Sequence, residues 1–253
     1  MNKHILIAFF VLILVGCNKA NHSDDPCNQL VDGIYQYPTE DPNPSLTSAQ
    51  KIEYWNIPED VLPCFMTDGL VETCLNYHNL GAILFLYGTN GIQDGYDLAK
   101  ERCRGFLELE NRTDAFDSLI KKYKSIDTIN FITDTNPLEY GGYNFYTYSL
   151  EVIIGQEKIL QNTTDKQEIE LLTELFVKQD YRKKFRSYYS IEGTTFVMGR
   201  IMYFNNYLPL MNECKNNNIM NSFILKGNPI QRADIISAIN SFANDYLALL
   251  KTR

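Results

Sequence analysis

The apolar residues of this chain recur at spacings of three and four along most of its length, which is the pattern of amphipathic α-helices. Two such sets are Tyr96, Ala99, Cys103 and Phe106, and Ala115, Phe116, Leu119, Ile120 and Tyr123. No alternating apolar and polar run of useful length interrupts this pattern; the nearest, residues 145–148, continues into an apolar stretch that suits a buried helix equally well. The spacing therefore predicts one all-α domain of eight to ten helices over residues 45–253.

Helix boundaries in this domain carry local signals. Thr164 and Gln167 match a capping box, and Asn228-Pro229 places a capping residue before a proline at the first helical position. Short loops between the helices favour an α-α superhelix of stacked helix pairs. The alternative is an irregular multi-helix bundle, because no fixed sequence period is visible.

The N-terminus has the features of an export signal. An apolar run of eleven residues extends from Ile5 to Val15, which is too short to cross about 30 Å of hydrocarbon but suits the core of a signal peptide. The run leads into Leu14-Val15-Gly16-Cys17, which resembles the lipobox of bacterial lipoproteins. The resemblance implies that residues 1–16 are removed and that Cys17 carries the lipid that attaches the protein to a membrane. The alternative is an ordinary signal peptide with an accidental cysteine.

Residues 17–44 are polar and proline-rich, with one lysine against five acidic residues and thus a net charge of −4. This composition predicts a flexible acidic tether, because it offers little apolar surface to offset the entropy of ordering. Acidic residues soon after the cysteine resemble the surface-export signal of lipoproteins from the Bacteroides group, although a solvated spacer has the same composition. We expect an outer-membrane-anchored lipoprotein, facing the periplasm or the cell surface.

One segment of the domain carries a family resemblance. Residues 51–62 include Trp55-Asn56-Ile57-Pro58, and residues 66–77 include Gly69-Leu70-Val71. Together they resemble the W-x-IP…GLVxTxLxY motif of all-helical secreted proteins and lipoproteins of gut Bacteroides-type bacteria, although His78 stands where that motif leads one to expect proline. The resemblance covers about 30 residues and implies a helical fold and an envelope location, with no activity attached.

Composition excludes several classes of function. The chain has 23 Lys and Arg against 31 Asp and Glu, and this acidic balance argues against a nucleic-acid partner. Of its three histidines only His78 lies in the predicted domain, which leaves little room for a histidine-based metal centre or a Ser-His-Asp triad. Nucleotide-loop, dinucleotide, esterase, zinc-protease and EF-hand motifs do not occur. The sequence therefore predicts no cofactor and no metal.

Four tyrosines around a Gly-Gly pair are the candidate binding residues: Tyr140, Tyr143, Tyr146 and Tyr148. Exposed tyrosine rings stack on sugars or anchor a protein partner, whereas buried ones pack a helix entrance. A basic cluster, Lys178 to Arg186, is expected to stabilise a helix C-terminus or, alternatively, to contact lipid headgroups. Removal of Cys17 leaves an odd number of cysteines: Cys27, Cys64, Cys74, Cys103 and Cys214. Of these, Cys64 and Cys74 could bridge adjacent helices, or all could be free buried thiols.

These observations lead to one preferred function and two alternatives. The preferred one is a non-enzymatic binding or scaffold module for protein or glycan, which requires an exposed apolar-aromatic groove, ideally involving Tyr140 to Tyr148, without convergent ionisable groups. The first alternative is a hydrolase of glycan or peptidoglycan, which requires a cleft with two carboxylates about 5–10 Å apart, one of them with a raised pKa. The second is a structural envelope component with neither feature.

Overall fold

The computed structural model describes residues 25–84, 90–126, 137–183, 191–228 and 233–253, and the side chains of all of these except 137–140. Cys17 lies outside the described residues. Within them the chain is all-α apart from one small hairpin, which confirms the predicted fold class. The α-helices are α1 (Ser48–Tyr54), α2 (Thr67–Leu75), α3 (Leu80–Ala82), α4 (Ile92–Arg102), α5 (Arg104–Glu110), α6 (Ala115–Ser125), α7 (Pro137–Ile154), α8 (Glu157–Leu160), α9 (Asp165–Lys183), α10 (Glu192–Phe204), α11 (Leu208–Asn216), α12 (Asn218–Lys226) and α13 (Ala233–Leu250).

Capping boxes begin two of these helices. Thr164 and Gln167 form the predicted box at α9, where the Thr164 amide donates to Gln167 Oε1 at 2.9 Å and the Gln167 amide donates to Thr164 Oγ1 at 3.3 Å. Thr47 and Gln50 form a second box at α1. The predicted start of the last helix at Asn228-Pro229 lies partly outside the described residues, which contain α13 from Ala233 onward.

One helix is surrounded by the others. Residues 193–202 of α10 are all buried, and this helix packs against six others, α7, α8, α9, α11, α12 and α13. Gly199 allows α12 to approach closely, since a Cβ at this position would lie 2.7 Å from the side chain of Ile224. In a superhelix of stacked pairs each unit contacts only its neighbours. Packing around a central helix is instead the arrangement of the irregular multi-helix bundle, the alternative that the sequence left open.

A short antiparallel hairpin, β1 (Leu30–Val31) and β2 (Ile34–Tyr35), packs against α2 in the N-terminal part of the fold. Asp32 and Gly33 form its turn with φ angles of 52° and 78°, the left-handed conformation that Asp-Gly favours. Gly69 of α2 makes the contact possible, because a Cβ there would lie 2.2 Å from the Gly33 carbonyl oxygen. The Tyr35 amide then donates to Thr73 Oγ1 at 3.1 Å, which joins the hairpin to the helix.

The predicted flexible tether of residues 17–44 is therefore wrong for residues 25–37, while residues 17–24 lie outside the described residues. A disulfide joins Cys27 to Cys64 with a Cα–Cα distance of 5.3 Å, and Leu30, Tyr35 and Tyr37 pack against the core. The composition argument fails here because the cross-link and the Asp-Gly turn reduce the entropy cost of ordering.

The cysteine pairing also differs from the expectation. Cys64 bonds to Cys27 rather than to Cys74. Cys74, Cys103 and Cys214 are free and buried. No described helix has the length and apolar character needed to cross a bilayer.

We predict that replacing both Cys27 and Cys64 with alanine lowers the free energy of unfolding by about 2–4 kcal/mol, because the 37-residue loop gains freedom in the unfolded chain. Urea titration followed by circular dichroism measures this change. A thiol reductant serves as the internal control, since it should lower the midpoint of the native chain and leave that of the double variant unchanged. Equal midpoints for the native chain and the variant would contradict the role given to this bond.

Candidate functional site: an aromatic groove

An open cavity of about 490 Å³ lies beside the hairpin, between the segment that follows β2 and the ends of α1 and α2. We call it the aromatic groove. Its lining is Tyr35, Gln36, Tyr37, Pro38, Thr39, Asp41, Trp55, Asn76 and His78. A cavity of this size takes a ligand of a few sugar rings or residues.

Trp55 and His78 form the central wall of the aromatic groove. Trp55 is the residue that ends α1, and its ring centroid lies 3.8 Å from that of His78, with 33° between the ring planes. Tyr54 packs edge-on against Trp55 at 5.0 Å, and its hydroxyl donates to the Glu40 carbonyl oxygen at 3.2 Å. The segment that follows β2 is thereby held against α1, so the groove has support on two sides.

Tyr37 connects the groove to the core. Its ring lies 5.5 Å from that of Tyr77, and its hydroxyl lies 3.4 Å from Cys103 Sγ, within hydrogen-bonding distance. Burial raises the pKa of Tyr37 well above its usual value, so that the hydroxyl stays protonated. The tyrosine is thus held by Tyr77 after α2 and by Cys103 between α4 and α5, which positions its ring for contact rather than for proton transfer.

The groove carries little charge near neutral pH. Partial burial lowers the pKa of His78 below 6.5, and the opposing effect of Asp41 is smaller, so the imidazole is neutral at pH 7. Gln36, Thr39 and Asn76 add exposed amide and hydroxyl groups. Asp41 is the single carboxylate among the described residues of this lining. The groove therefore offers aromatic faces with hydrogen-bonding groups around them, and no pair of acids.

The tyrosines that the sequence singled out do not form this groove. Tyr143 is buried in the core with its ring 6.2 Å from that of Tyr181, and burial raises its pKa to about 12. Tyr146 is half-buried and donates to Glu72 Oε2 at 3.2 Å, and Tyr148 is half-buried as well. The side chain of Tyr140 lies outside the described residues. Tyr143, Tyr146 and Tyr148 are three and two positions apart, so their rings point to different sides of α7. Helix α7 packs between α6 and α10, so these rings have different neighbours.

Several carboxylates that a two-acid hydrolase could use have structural partners elsewhere in the fold. Glu108 pairs with Arg112 at 3.0 Å, and Glu110, 4% exposed, pairs with Lys100 at 3.2 Å. Burial raises the pKa of Glu168, which accepts a hydrogen bond from the Tyr246 hydroxyl at 2.5 Å in the contact between α9 and α13. Glu168, the acid of this group whose pKa is raised, therefore lies in the packed contact between α9 and α13.

A buried ion pair, which the sequence analysis did not identify, joins α7 to α9. Arg182 Nη1 lies 3.0 Å from Glu151 Oε2, and both side chains are at most 1% exposed. Lys178 is 2% exposed, pairs with Glu174 at 2.9 Å and donates to the Ile126 carbonyl oxygen. The proposed contact of this basic cluster with lipid headgroups is therefore wrong for Lys178 and Arg182, while Lys184 and Arg186 lie outside the described residues. Glu151 within the apolar run 150–154 was the available signal, because an acid in such a run needs a buried partner.

Comparison with protein-family models, with curated proteins and with solved structures finds no match for this chain. The resemblance of residues 51–77 to helical lipoproteins consequently stays a prediction.

We predict that Arg182→Met lowers the free energy of unfolding by about 3–5 kcal/mol, because it leaves the Glu151 carboxylate buried without its counter-charge. The double variant Glu151→Leu/Arg182→Met should lose less than the single variant. Urea unfolding provides the measurement. Lys183→Met is the matched control, since Lys183 is 39% exposed in its ion pair with Asp180, and its effect should stay below about 1 kcal/mol. A single variant no less stable than this control would contradict the assignment.

Proposed function

We propose that this chain is a lipid-anchored cell-envelope protein whose helical domain binds glycan in the aromatic groove without catalysing a reaction. The observation that carries the proposal is the stacked pair of Trp55 and His78, which stands in an open groove beside Tyr37 and exposed amide side chains. Aromatic faces pack against the C–H faces of sugar rings, and amide and carboxylate groups pair with hydroxyls.

Glycan is favoured over a protein partner by the character of the lining. A stable protein interface buries about 800 Å² on each side and has an apolar centre. The large apolar side chains that are exposed among the described residues are Val31, Met66, Leu107, Val177, Leu208, Ile219 and Leu249, and none of them lines the groove. Ring faces surrounded by polar groups suit a ligand that is itself covered with hydroxyls.

A binding role is favoured over hydrolysis by the count of acids. A two-carboxylate mechanism needs an acid and a second carboxylate on opposite sides of the glycosidic bond. Asp41 is the only carboxylate among the described lining residues. The neutral imidazole of His78 beside it is stacked on Trp55. The second candidate function, a glycan or peptidoglycan hydrolase, therefore has less support at this site.

The proposed location rests on three observations. The sequence ending at Cys17 resembles a lipobox, the Cys27–Cys64 disulfide is typical of exported proteins, and no described helix could span a membrane. We infer attachment of the acylated Cys17 to the outer membrane, with the domain on its periplasmic or external side.

Intrinsic fluorescence tests glycan binding directly, because Trp55 is the only tryptophan of the chain. We expect at least one of the soluble cello-, xylo-, manno- and chito-oligosaccharides to change its emission in a saturable way. Calorimetry should then show an affinity about tenfold lower for Trp55→Ala, the loss expected for one stacking contact. Leu208→Ala is the control, since Leu208 is 67% exposed and lies outside the groove. Lack of response to the whole panel, or cleavage of the bound oligosaccharide, would contradict this proposal.

Replacement of Cys17 with alanine tests the anchor. We expect the variant to leave the membrane fraction and appear in the soluble envelope fraction, because the residue that would be acylated is gone. Fractionation followed by immunoblotting measures the change, and Cys214→Ala, which removes a buried thiol of the domain, is the control. A Cys17→Ala variant that stays with the membranes would show that the lipobox interpretation is wrong.

A further inference from the structure

We propose that a second cavity of the domain binds a small zwitterion, an amino acid or a short peptide, whose carboxylate pairs with Arg200. This cavity measures about 370 Å³ and is lined by residues of α4, α5, α8, α10 and α12. We call it the Arg200 cavity. It shares no lining residue with the aromatic groove, so the two proposals are independent.

Arg200 is a buried cation without a carboxylate beside it. Its side chain lies between two rings, with the guanidinium carbon 4.9 Å from the centroids of both Phe196 and Phe204, and the residue is 4% exposed. One terminal nitrogen donates to Gln93 Oε1 and, at 3.4 Å, to the Leu225 carbonyl oxygen. Nε has no hydrogen-bond partner, and no carboxylate of the described residues lies within 4 Å of the guanidinium. A buried charge in this condition is unfavourable and favours an anionic ligand.

Arg182 gives the comparison within the same molecule. It is buried to the same degree, yet its guanidinium pairs with Glu151 at 3.0 Å. Glu151 raises the pKa of Arg182, whereas burial lowers the pKa of Arg200 to about 10 despite the opposing fields of Glu157 and Asp97. Arg200 remains charged at neutral pH and lines a cavity open to solvent, so a ligand carboxylate could supply the partner that the protein does not.

The rest of the lining points to a ligand that also carries a positive charge. Three cations, Arg200, Lys100 and Lys158, face three carboxylates, those of Asp97, Glu110 and Glu157. Glu110 is 4% exposed and lies 3.2 Å from Lys100 and 3.8 Å from Lys158, and Lys100 also lies 3.9 Å from Asp97, so these two cations and two acids balance one another.

What remains is one buried cation, Arg200, and one exposed acid, Glu157, with Asp97 exposed beside Lys100. Gln93 bridges the cation and one of the acids, because its side chain accepts a hydrogen bond from Arg200 and donates one to Asp97 Oδ1 at 3.0 Å. A carboxylate at Arg200 and an ammonium group near the acids would match this distribution. Inorganic phosphate would meet the same acids as like charges, so it fits less well.

Calorimetry with dialanine tests the proposal on the full domain. We expect saturable binding at millimolar concentration or below. Blocking either end, in the C-terminal amide or the N-acetyl derivative, should weaken binding about tenfold or more, because each removes one charge-assisted contact. Arg200→Gln should abolish binding, with circular dichroism to verify the fold.

Asp97→Asn keeps the test valid if the Arg200 variant does not fold, since the Asp97 side chain is 51% exposed. It should weaken dialanine binding without weakening that of N-acetyl-dialanine, whose single carboxylate meets Asp97 only as a like charge. Asp180→Asn, which alters an acid 71% exposed on α9, is the control with no expected effect. Absence of dialanine binding at 10 mM, tighter binding of inorganic phosphate than of dialanine, or an Asp97→Asn variant equal to the native chain would each overturn the proposal.

Discussion

One buried carboxylate joins four helices of this fold. Glu151 of α7 accepts hydrogen bonds from Tyr123 of α6 at 2.7 Å, from Arg182 of α9 at 3.0 Å and from Thr194 of α10 at 3.0 Å. Gly193 provides the space, since a Cβ there would lie 2.5 Å from Glu151 Oε2. A rotation or slip of any of these helices would leave a charge in the interior without partners, so the network selects a single arrangement of helices that apolar packing alone would leave less defined.

The central helix α10 has two charged environments along its length, one in which the protein supplies both charges and one in which it supplies a cation alone. Near its start, Thr194 belongs to a network in which acid and base are both supplied by the protein. Nearly two turns further on, Arg200 has aromatic rings on both faces and amide and carbonyl oxygens at its edge, and it lines an open cavity. The ion pair of Arg182 with Glu151 stabilises the fold. Arg200, in contrast, has no carboxylate partner among the described residues. That difference is the physical basis for considering Arg200, and not Arg182, in ligand recognition.

The helical part of the fold was predictable because its signals are local. The three-and-four spacing in α6 and the capping box of Thr164 and Gln167 each depend on residues within one or two turns. The predicted single stripe from Tyr96 to Phe106 is instead divided between α4 and α5, because Cys103 between them is extended, with a φ of −136°. The pairing of Cys27 with Cys64 was not predictable, since spacing does not determine connectivity. The ordered segment after Asp25 is not evident from composition for a different reason: average polarity does not register the Asp32-Gly33 turn, which is itself a recognisable hairpin signal.

The candidate site was less accessible from sequence than the helices. Trp55 and His78 are 23 positions apart and meet only because α1 and α2 end beside each other. Tyr143 and Tyr146 are close in sequence on α7, yet they contact different elements, Tyr181 of α9 and Glu72 of α2. Residues that cluster along a helix disperse around it, and residues that cluster in a groove come from different elements.

The disulfide also sets a mechanical limit. Cys17 lies ten positions before Cys27, whose disulfide with Cys64 ties the chain to the domain. A fully extended chain of that length spans at most about 35 Å. With Cys17 in the membrane as proposed, a 28-residue leash would have allowed about 100 Å. The aromatic groove, one side of which is the segment that directly follows the hairpin, then works within a shallow layer above the bilayer and meets only polymers that enter that layer.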